Sequence, residues 1–308
     1  MVGLRPDQSL VLPSVLSGIL GTVQPQKYLD HRTTDMAESQ VNFANDVLLG
    51  TSIYVPPLPE QHRIAEILDT LDEAIRKTGQ VIANLQQMKQ GLLHDLLTRG
   101  IDENGELRDP ERHPELFKDS LLGRIPRGWE TMCAAQLMQP GRKVTYGIVQ
   151  PGHFSPGGAL LVRGQDYING WQPVETFFRV STSLHHQYSR STILPGDALI
   201  TIVGATTGAT AVVPEWISEA NITQTTARLA FDNSRLLSTF GSAFISSSRG
   251  QDQLRRFMKG SAQPGLNLAD VEKFVFPVPS VPEQHIILGF LATGSSRDRQ
   301  RRPRAVEA

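Results

Sequence analysis

Val55-Pro56-Pro57-Leu58-Pro59-Glu60-Gln61-His62 returns later in the chain as Val278-Pro279-Ser280-Val281-Pro282-Glu283-Gln284-His285. The register continues past the octapeptide: Ile64, Ile67 and Leu68 stand opposite Ile287, Phe290 and Leu291. Upstream the match is looser, with Gln40 to Phe43 and Gln263 to Leu266 at similar distances from the two junctions. Such a repeat implies a duplicated unit, each copy ending in a proline-rich helix start. Proline suits the first helical turn because its missing N–H would have no partner there.

The first junction leads into apolar residues at Ile64, Leu68, Leu71, Ile75, Ile82, Leu85, Leu92 and Leu96, with Thr78 and Lys89 in the two remaining slots. Steps of four and three alternate throughout, which is a heptad seam. The spacing predicts a helix that ends at Gly100, about 60 Å long at 1.5 Å per residue. An amphipathic helix lying on a globular core is the plainer reading; strict heptads over this length more often meet another helix.

Beyond Gly100, Asn104-Gly105 marks a small hairpin or loop. From Gly123 to Pro279 short β-rich runs are broken by glycine and proline, with strands expected at Leu160–Val162, Ala198–Val203, Ala209–Val213 and Thr225–Phe231. A helix is expected over Leu236–Met258, closed by Lys259-Gly260. After Leu291 the apolar seam is lost.

The chain has 308 residues, 30 Lys+Arg against 31 Asp+Glu, a net charge of −1, 39% hydrophobic and 20% charged residues. That composition excludes wholesale disorder, and no apolar run reaches the roughly 18 residues of a membrane span. The first residues lack the apolar core of a secretory signal. A single cysteine, Cys133, excludes an internal disulfide framework and a cysteine-clustered zinc site. The cytoplasm is the simplest compartment.

Several stretches resemble the specificity subunit of type I restriction–modification systems, over nearly everything from about Val41 to Leu291. They are Pro57-Leu58-Pro59-Glu60-Gln61, Gly91-Leu92-Leu93 with Leu97-Thr98-Arg99-Gly100-Ile101-Asp102, and Gly123-Arg124-Ile125-Pro126-Arg127-Gly128-Trp129. Leu194 to Ile200, Asn221-Ile222-Thr223-Gln224 and Gly260 to Asn267 add to these in family order. The resemblance implies an α+β fold: one complete mixed target-recognition domain on a long coiled-coil spacer helix, with a remnant of a first recognition domain. The corresponding segments are 1–54 (remnant), 55–100 (spacer helix), 101–122 (connecting hairpin or loop), 123–280 (complete domain), 281–291 (start of a second spacer helix) and 292–308 (disordered basic tail). The family plan holds two such domains apart on two antiparallel helices, each reading half of a bipartite site. Against that plan the chain is expected to be clipped at both ends, leaving the seam without an intramolecular partner.

A search for catalysis fails. Gly204-Ala-Thr-Thr-Gly208-Ala-Thr lacks the lysine of a phosphate-cradling loop. Tyr54-Val55-Pro56-Pro57 has valine where an amino-methyltransferase needs Asn or Asp, and no HExxH occurs. Cys133 reads as a small buried hydrophobe, and His62 and His285 as helix-start packing. Binding chemistry fares better. Residues 125–280 carry 13 basic against 10 acidic residues, and residues 59–124 carry 9 against 13, so positive charge favours the β-rich domain.

Candidate DNA contacts are Arg142, Lys143, Arg163, Gln165, Gln187, Arg190 and Thr207 in expected loops, since Arg forks onto guanine and Gln onto adenine. Arg249, Arg255, Arg256 and Lys259 on the expected helix suit phosphates. The expected partners are double-stranded DNA, methylation subunits and through them restriction subunits, and a second copy paired along the seam. No cofactor is expected in the chain itself. The resemblance puts S-adenosylmethionine, ATP and Mg²⁺ on the partner subunits. Two readings stay open: a non-catalytic DNA-recognition subunit, or a degenerate remnant that binds methylation subunits without productive DNA recognition.

Overall fold

A computed structural model describes residues 4–32, 34–35, 41–42, 45–258 and 265–299. They fall into two compact units, Met1–Leu85 and Gln86–Ala308. One helix, α4, runs through the boundary between them.

Unit 1 opens with helices α1 (Pro13–Leu20) and α2 (Val23–Asp30). Strands β1 (Thr34–Asp35) and β2 (Val41–Asn42) pair antiparallel, and α3 (Asn45–Leu49) precedes the proline-rich junction. Its buried apolar side chains include Val15 and Leu29. Helix α4 spans Leu58–Arg99, 42 residues or about 63 Å. It stops where Gly100 takes φ of 61°, the left-handed conformation that ends helices at low cost. Leu68, Leu71, Ile75, Ile82, Leu85 and Leu92 are exposed along it, and Ile64 is half-buried. Leu96 is buried with Leu97 in the main core of unit 2. The C-terminal end of the seam therefore has an intramolecular partner, contrary to expectation.

After the end of α4, unit 2 continues into the hairpin β3 (Phe117–Ser120) and β4 (Gly123–Pro126), so the expected domain boundary at 123 falls inside a paired hairpin. Strand β5 (Glu130–Cys133), short helix α5 (Ala134–Leu137) and β6 (Thr145–Tyr146) follow. Next come β7 (Ala159–Val162), β8 (Phe178–Val180) and α6 (Thr182–Gln187). Four more strands are β9 (Ala198–Thr201), β10 (Thr210–Val212), β11 (Asn221–Ile222) and β12 (Thr226–Leu229). The unit closes with α7 (Ser238–Ser246), α8 (Ser248–Phe257), α9 (Leu268–Glu272), β13 (Val275–Val278) and α10 (Val281–Arg299).

The main antiparallel sheet has the order β10-β9-β12-β6. A second sheet, β11-β7-β8, joins a parallel β11–β7 pair to an antiparallel β7–β8 pair. Strand β9 lies between two cores. Ala198 and Ile200 join Trp129, Phe231, Phe240, Phe244 and Phe276 on one face, while Leu199 joins Val162, Tyr167 and Phe177 on the other. A strand buried on both faces has to be apolar without alternation, as Ala198-Leu199-Ile200 is. The two sheets meet where Ile148 N donates to Ile222 O at 2.7 Å. A Cβ on Gly147 would lie 1.7 Å from that oxygen, so only glycine permits the approach.

The repeated glutamines do the same work in both units. Gln61 is fully buried: Oε1 accepts Leu12 N at 2.8 Å, and Nε2 donates to Leu10 O and Pro56 O, each at 2.8 Å. Gln284 is equally buried: Oε1 accepts Leu237 N at 2.8 Å, and Nε2 donates to Arg235 O at 2.8 Å and Pro279 O at 2.9 Å. Leu12 and Leu237 are the N-caps of α1 and α7. Counted from these caps, buried Val15, Pro25 and Leu29 fall on the same positions as buried Phe240, Gly250 and Leu254. Gln284→Ala is expected to cost unit 2 about 1–3 kcal/mol per stranded backbone group. Gln61→Ala should loosen only unit 1. Hydrogen exchange checks this: protection should fall at residues 237–241 in one variant and 12–16 in the other.

Three further expectations are corrected. The helix foreseen over 236–258 is two helices, because Ser247 leaves helical conformation (ψ 163°) and its Oγ accepts Gly250 N at 3.2 Å, capping α8. The tail foreseen as disordered from 292 is helical as far as Arg299, with no proline to interrupt it before Pro303; residues 300–308 lie outside the described residues. Cys133 is half-buried at the start of α5, with its Sγ on Gln136 Oε1 at 3.2 Å, while His62 and His285 are exposed. Of the looser upstream match, Gln40, Phe43, Gln263 and Pro264 lie outside the described residues.

Candidate nucleic-acid interface

The loops at one edge of the two sheets form a cleft lined by Arg163, Gln165, Thr206, Thr223, Gln224 and Thr225, among others. Strand β7 delivers Arg163 and Gln165, the β9–β10 turn delivers Thr206, and β11 runs directly into Thr223 and Gln224. Gln165 and Gln224 are exposed, and neither side-chain amide has a hydrogen-bond partner among the described residues. Arg163 lines the same cleft but is occupied. It forks onto buried Asp166 (Nε 3.2 Å, Nη2 3.1 Å), and Asp166 also accepts Arg163 N at 2.7 Å. Thr207 Oγ1 donates to Gly204 O at 2.7 Å and so shapes the turn.

A second cleft is lined by Arg142, Arg190, Thr192, Glu219 and Arg228. Arg142 forks onto Asp197 at 2.7 and 2.6 Å, and Asp197 also accepts Leu194 N at 2.8 Å. Arg142 and Arg163 therefore brace loops, each guanidinium already forked onto a carboxylate. Lys143 and Arg190 are exposed, with no ion pair among the described residues. Their backbone carbonyls are held by Arg228, whose guanidinium donates to Lys143 O at 3.1 Å, Arg190 O at 3.0 Å and Thr192 O at 2.7 Å. Burial pushes Arg228 below the usual arginine range, Arg142 adds to this, and Asp197 opposes it.

The remaining candidates are dispersed. Gln187 is exposed beside His153 and Phe154 in another cleft. Arg255 pairs with Asp252. Arg256 shares a groove with Arg249 and Leu121, and Lys259 lies outside the described residues. Sequence reasoning passed over Arg228 and, as a contact, Gln224. Their signals were an arginine inside the apolar run Ala227-Arg228-Leu229-Ala230-Phe231 and the last residue of Asn221-Ile222-Thr223-Gln224. Among the described residues, no group of three or more His, Cys, Asp and Glu could hold a metal ion. No described helix is long and apolar enough to cross a membrane.

The sequence model of the type I restriction modification DNA specificity domain matches residues 26–87 and 171–300, well over half of the chain. The chain belongs to that family. Its two matched stretches each include one of the two proline-rich junctions. Among relatives of this DNA specificity family, the EcoBI type I restriction enzyme specificity subunit of Escherichia coli is 30% identical over 250 residues, 80% of this chain and 52% of that protein. The MjaVIII specificity subunit of Methanocaldococcus jannaschii is 23% identical over 237 residues, 75% and 52% of the two chains. The chain thus spans about half the length of these relatives. A chain solved in work on complex assembly and conformational transition of the type I R-M system shares the fold, with a TM-score of 0.57, 17% identity and coverage of 96% of this chain and 67% of that one.

Proposed function

We propose that this specificity-family chain reads DNA within a type I restriction–modification complex and carries no chemistry of its own. The observation that carries the reading is the pair of unengaged amides, Gln165 and Gln224, in one cleft at the edge of the sheets. An amide can fork onto N6 and N7 of adenine, and a fold that leaves two such groups unpaired on braced loops has them ready for an outside partner. Unit 2 then recognises one half-site. Unit 1 is the tail of a second such domain, since its glutamine clamp and buried positions repeat those of α7 and α8.

Helix α4 would set the distance between the readout and the docked methylation subunits, which must extrude their target adenine at a fixed position. S-adenosylmethionine, ATP and Mg²⁺ would stay with the partner subunits. The exposed seam residues Leu68, Leu71, Ile75, Ile82 and Leu85 support antiparallel pairing with a second copy. That pairing would give a site with two equivalent halves. Light scattering that finds only monomer would exclude it.

The test is to map adenine methylation in cells that express the chain with a cognate methylation subunit, against cells lacking the chain. A chain-dependent motif is expected. Gln165→Ala and Gln224→Ala should each relax it at an A·T pair, weakening discrimination by about 1–3 kcal/mol. Absence of chain-dependent methylation would favour a remnant that docks without reading.

A further inference from the structure

We infer that the cleft between residues 141–143, residues 189–194 and β12 is a binding site for a phosphate-type oxyanion. The site follows from its own chemistry, and only the source of the anion rests on the DNA-reading function. Beside the cleft, the buried Asp197 carboxylate stands against two guanidiniums, Arg142 and Arg228. Asp197 forks fully onto Arg142, which leaves Arg228 without an ion pair of its own among the described residues. Arg228 is 4% exposed, and its bonds go to three main-chain carbonyls, which offer dipoles but no charge. Its Nε–H has no acceptor among the described residues, and neither does the buried Thr192 Oγ1 hydroxyl.

An arginine stays protonated in a protein, and a buried charge without a partner is costly. Two orphaned donors and a surplus positive charge in the same cleft call for an acceptor carrying negative charge. Arg190 stands at this cleft, exposed and without an ion pair. The carboxylate in the lining, Glu219, is exposed and lies 3.6 Å from His185 Nε2. A tetrahedral oxyanion can accept from the exposed fork of Arg190, with the buried charge of Arg228 lining the same cleft. In a DNA-reading chain the natural source is a backbone phosphodiester; free phosphate presents the same chemistry.

The test uses the full chain, with Arg190→Gln and Thr192→Val as variants and Lys273→Gln as a distant exposed control. Among the described residues the Arg190 side chain has no hydrogen bond or ion pair, and its carbonyl alone is held by Arg228, so the side chain can be removed without loss of folding. Thermal unfolding in inorganic phosphate against chloride at equal ionic strength reads the free anion. Anisotropy of a labelled duplex across a salt series reads DNA. The expected result is a phosphate-induced rise in midpoint in the parent and in Lys273→Gln that disappears in Arg190→Gln. Duplex affinity should drop roughly tenfold in Arg190→Gln, and the slope of log K on log salt should shrink by about 0.9.

If the phosphate effect depends on Arg190 but duplex binding does not, the site stands and its anion is free in solution. If the parent binds no duplex and the phosphate effect still depends on Arg190, DNA reading fails and the site survives. A parent that binds duplex, with both variants unchanged in both assays, overturns the site.

Discussion

Glu283→Ala should destabilise unit 2 by about 3–5 kcal/mol, a fall of roughly 10 °C in midpoint for a unit of this size. Glu283 Oε1 accepts Ile101 N at 3.1 Å and Arg108 Nη1 at 2.6 Å, and Oε2 accepts Trp129 Nε1 at 3.0 Å. One carboxylate thus ties the start of α10 to the residue after Gly100, to the following hairpin and to a tryptophan 1% exposed. Removing it strands a buried indole N–H and a mostly buried guanidinium together. Glu60 occupies the same place in the repeated motif, but it is exposed and forms no ion pair among the described residues. Glu60→Ala should therefore stay within about 0.5 kcal/mol of the parent. Urea unfolding followed by tryptophan fluorescence for unit 2, which holds all three tryptophans, and by circular dichroism for the whole chain separates the two. Equal effects would refute the assignment of Glu283 as the tie.

Asp197→Ala is expected to cost a similar amount, about 3–5 kcal/mol, for a different reason. Asp197 is the carboxylate that compensates Arg142, and its loss sets that guanidinium against Arg228 with nothing between them. Leu194 N loses its acceptor as well. Arg142→Ala alone should also destabilise, since it leaves a buried carboxylate without its fork. The double variant should recover part of the loss, a coupling of about 0.5–3 kcal/mol in a denaturant cycle. Strict additivity of the two single changes would exclude a working pair.

Much of this architecture could be read from local pattern. The Ala198-Leu199-Ile200 run and the heptads of α4 record their surroundings directly, because burial on two faces and burial on one stripe leave different periods. The break at Ser247 was less visible: Ser246-Ser247-Ser248 suits a helix cap as well as a helix interior, and only tertiary packing selects the cap. The helix beyond Leu291 was hidden by Gly294, Ser295 and Ser296, whose weak propensity is a poor guide.

The candidate interface was legible in composition but not in detail. An exposed cation and a structural one look alike in sequence when the deciding carboxylate is far away, as Asp197 is from Arg142. Asp166 lies three residues from Arg163 and did offer a signal. Arg228 shows the converse. Its role comes from three carbonyls on two other segments, and carbonyls have no letter in the sequence.

The glutamine clamp has a bearing on ancestry and engineering. Gln61 and Gln284 grip main-chain atoms only: beside the nearby Pro56 and Pro279 carbonyls, these sit on Leu10 and Leu12 in one unit and Arg235 and Leu237 in the other. A joint that ignores side chains fits any segment able to present a carbonyl and an N–H two residues apart. Such a joint works as an interchangeable socket, so shuffling or grafting could exchange the body attached to a helix and leave the fastening intact.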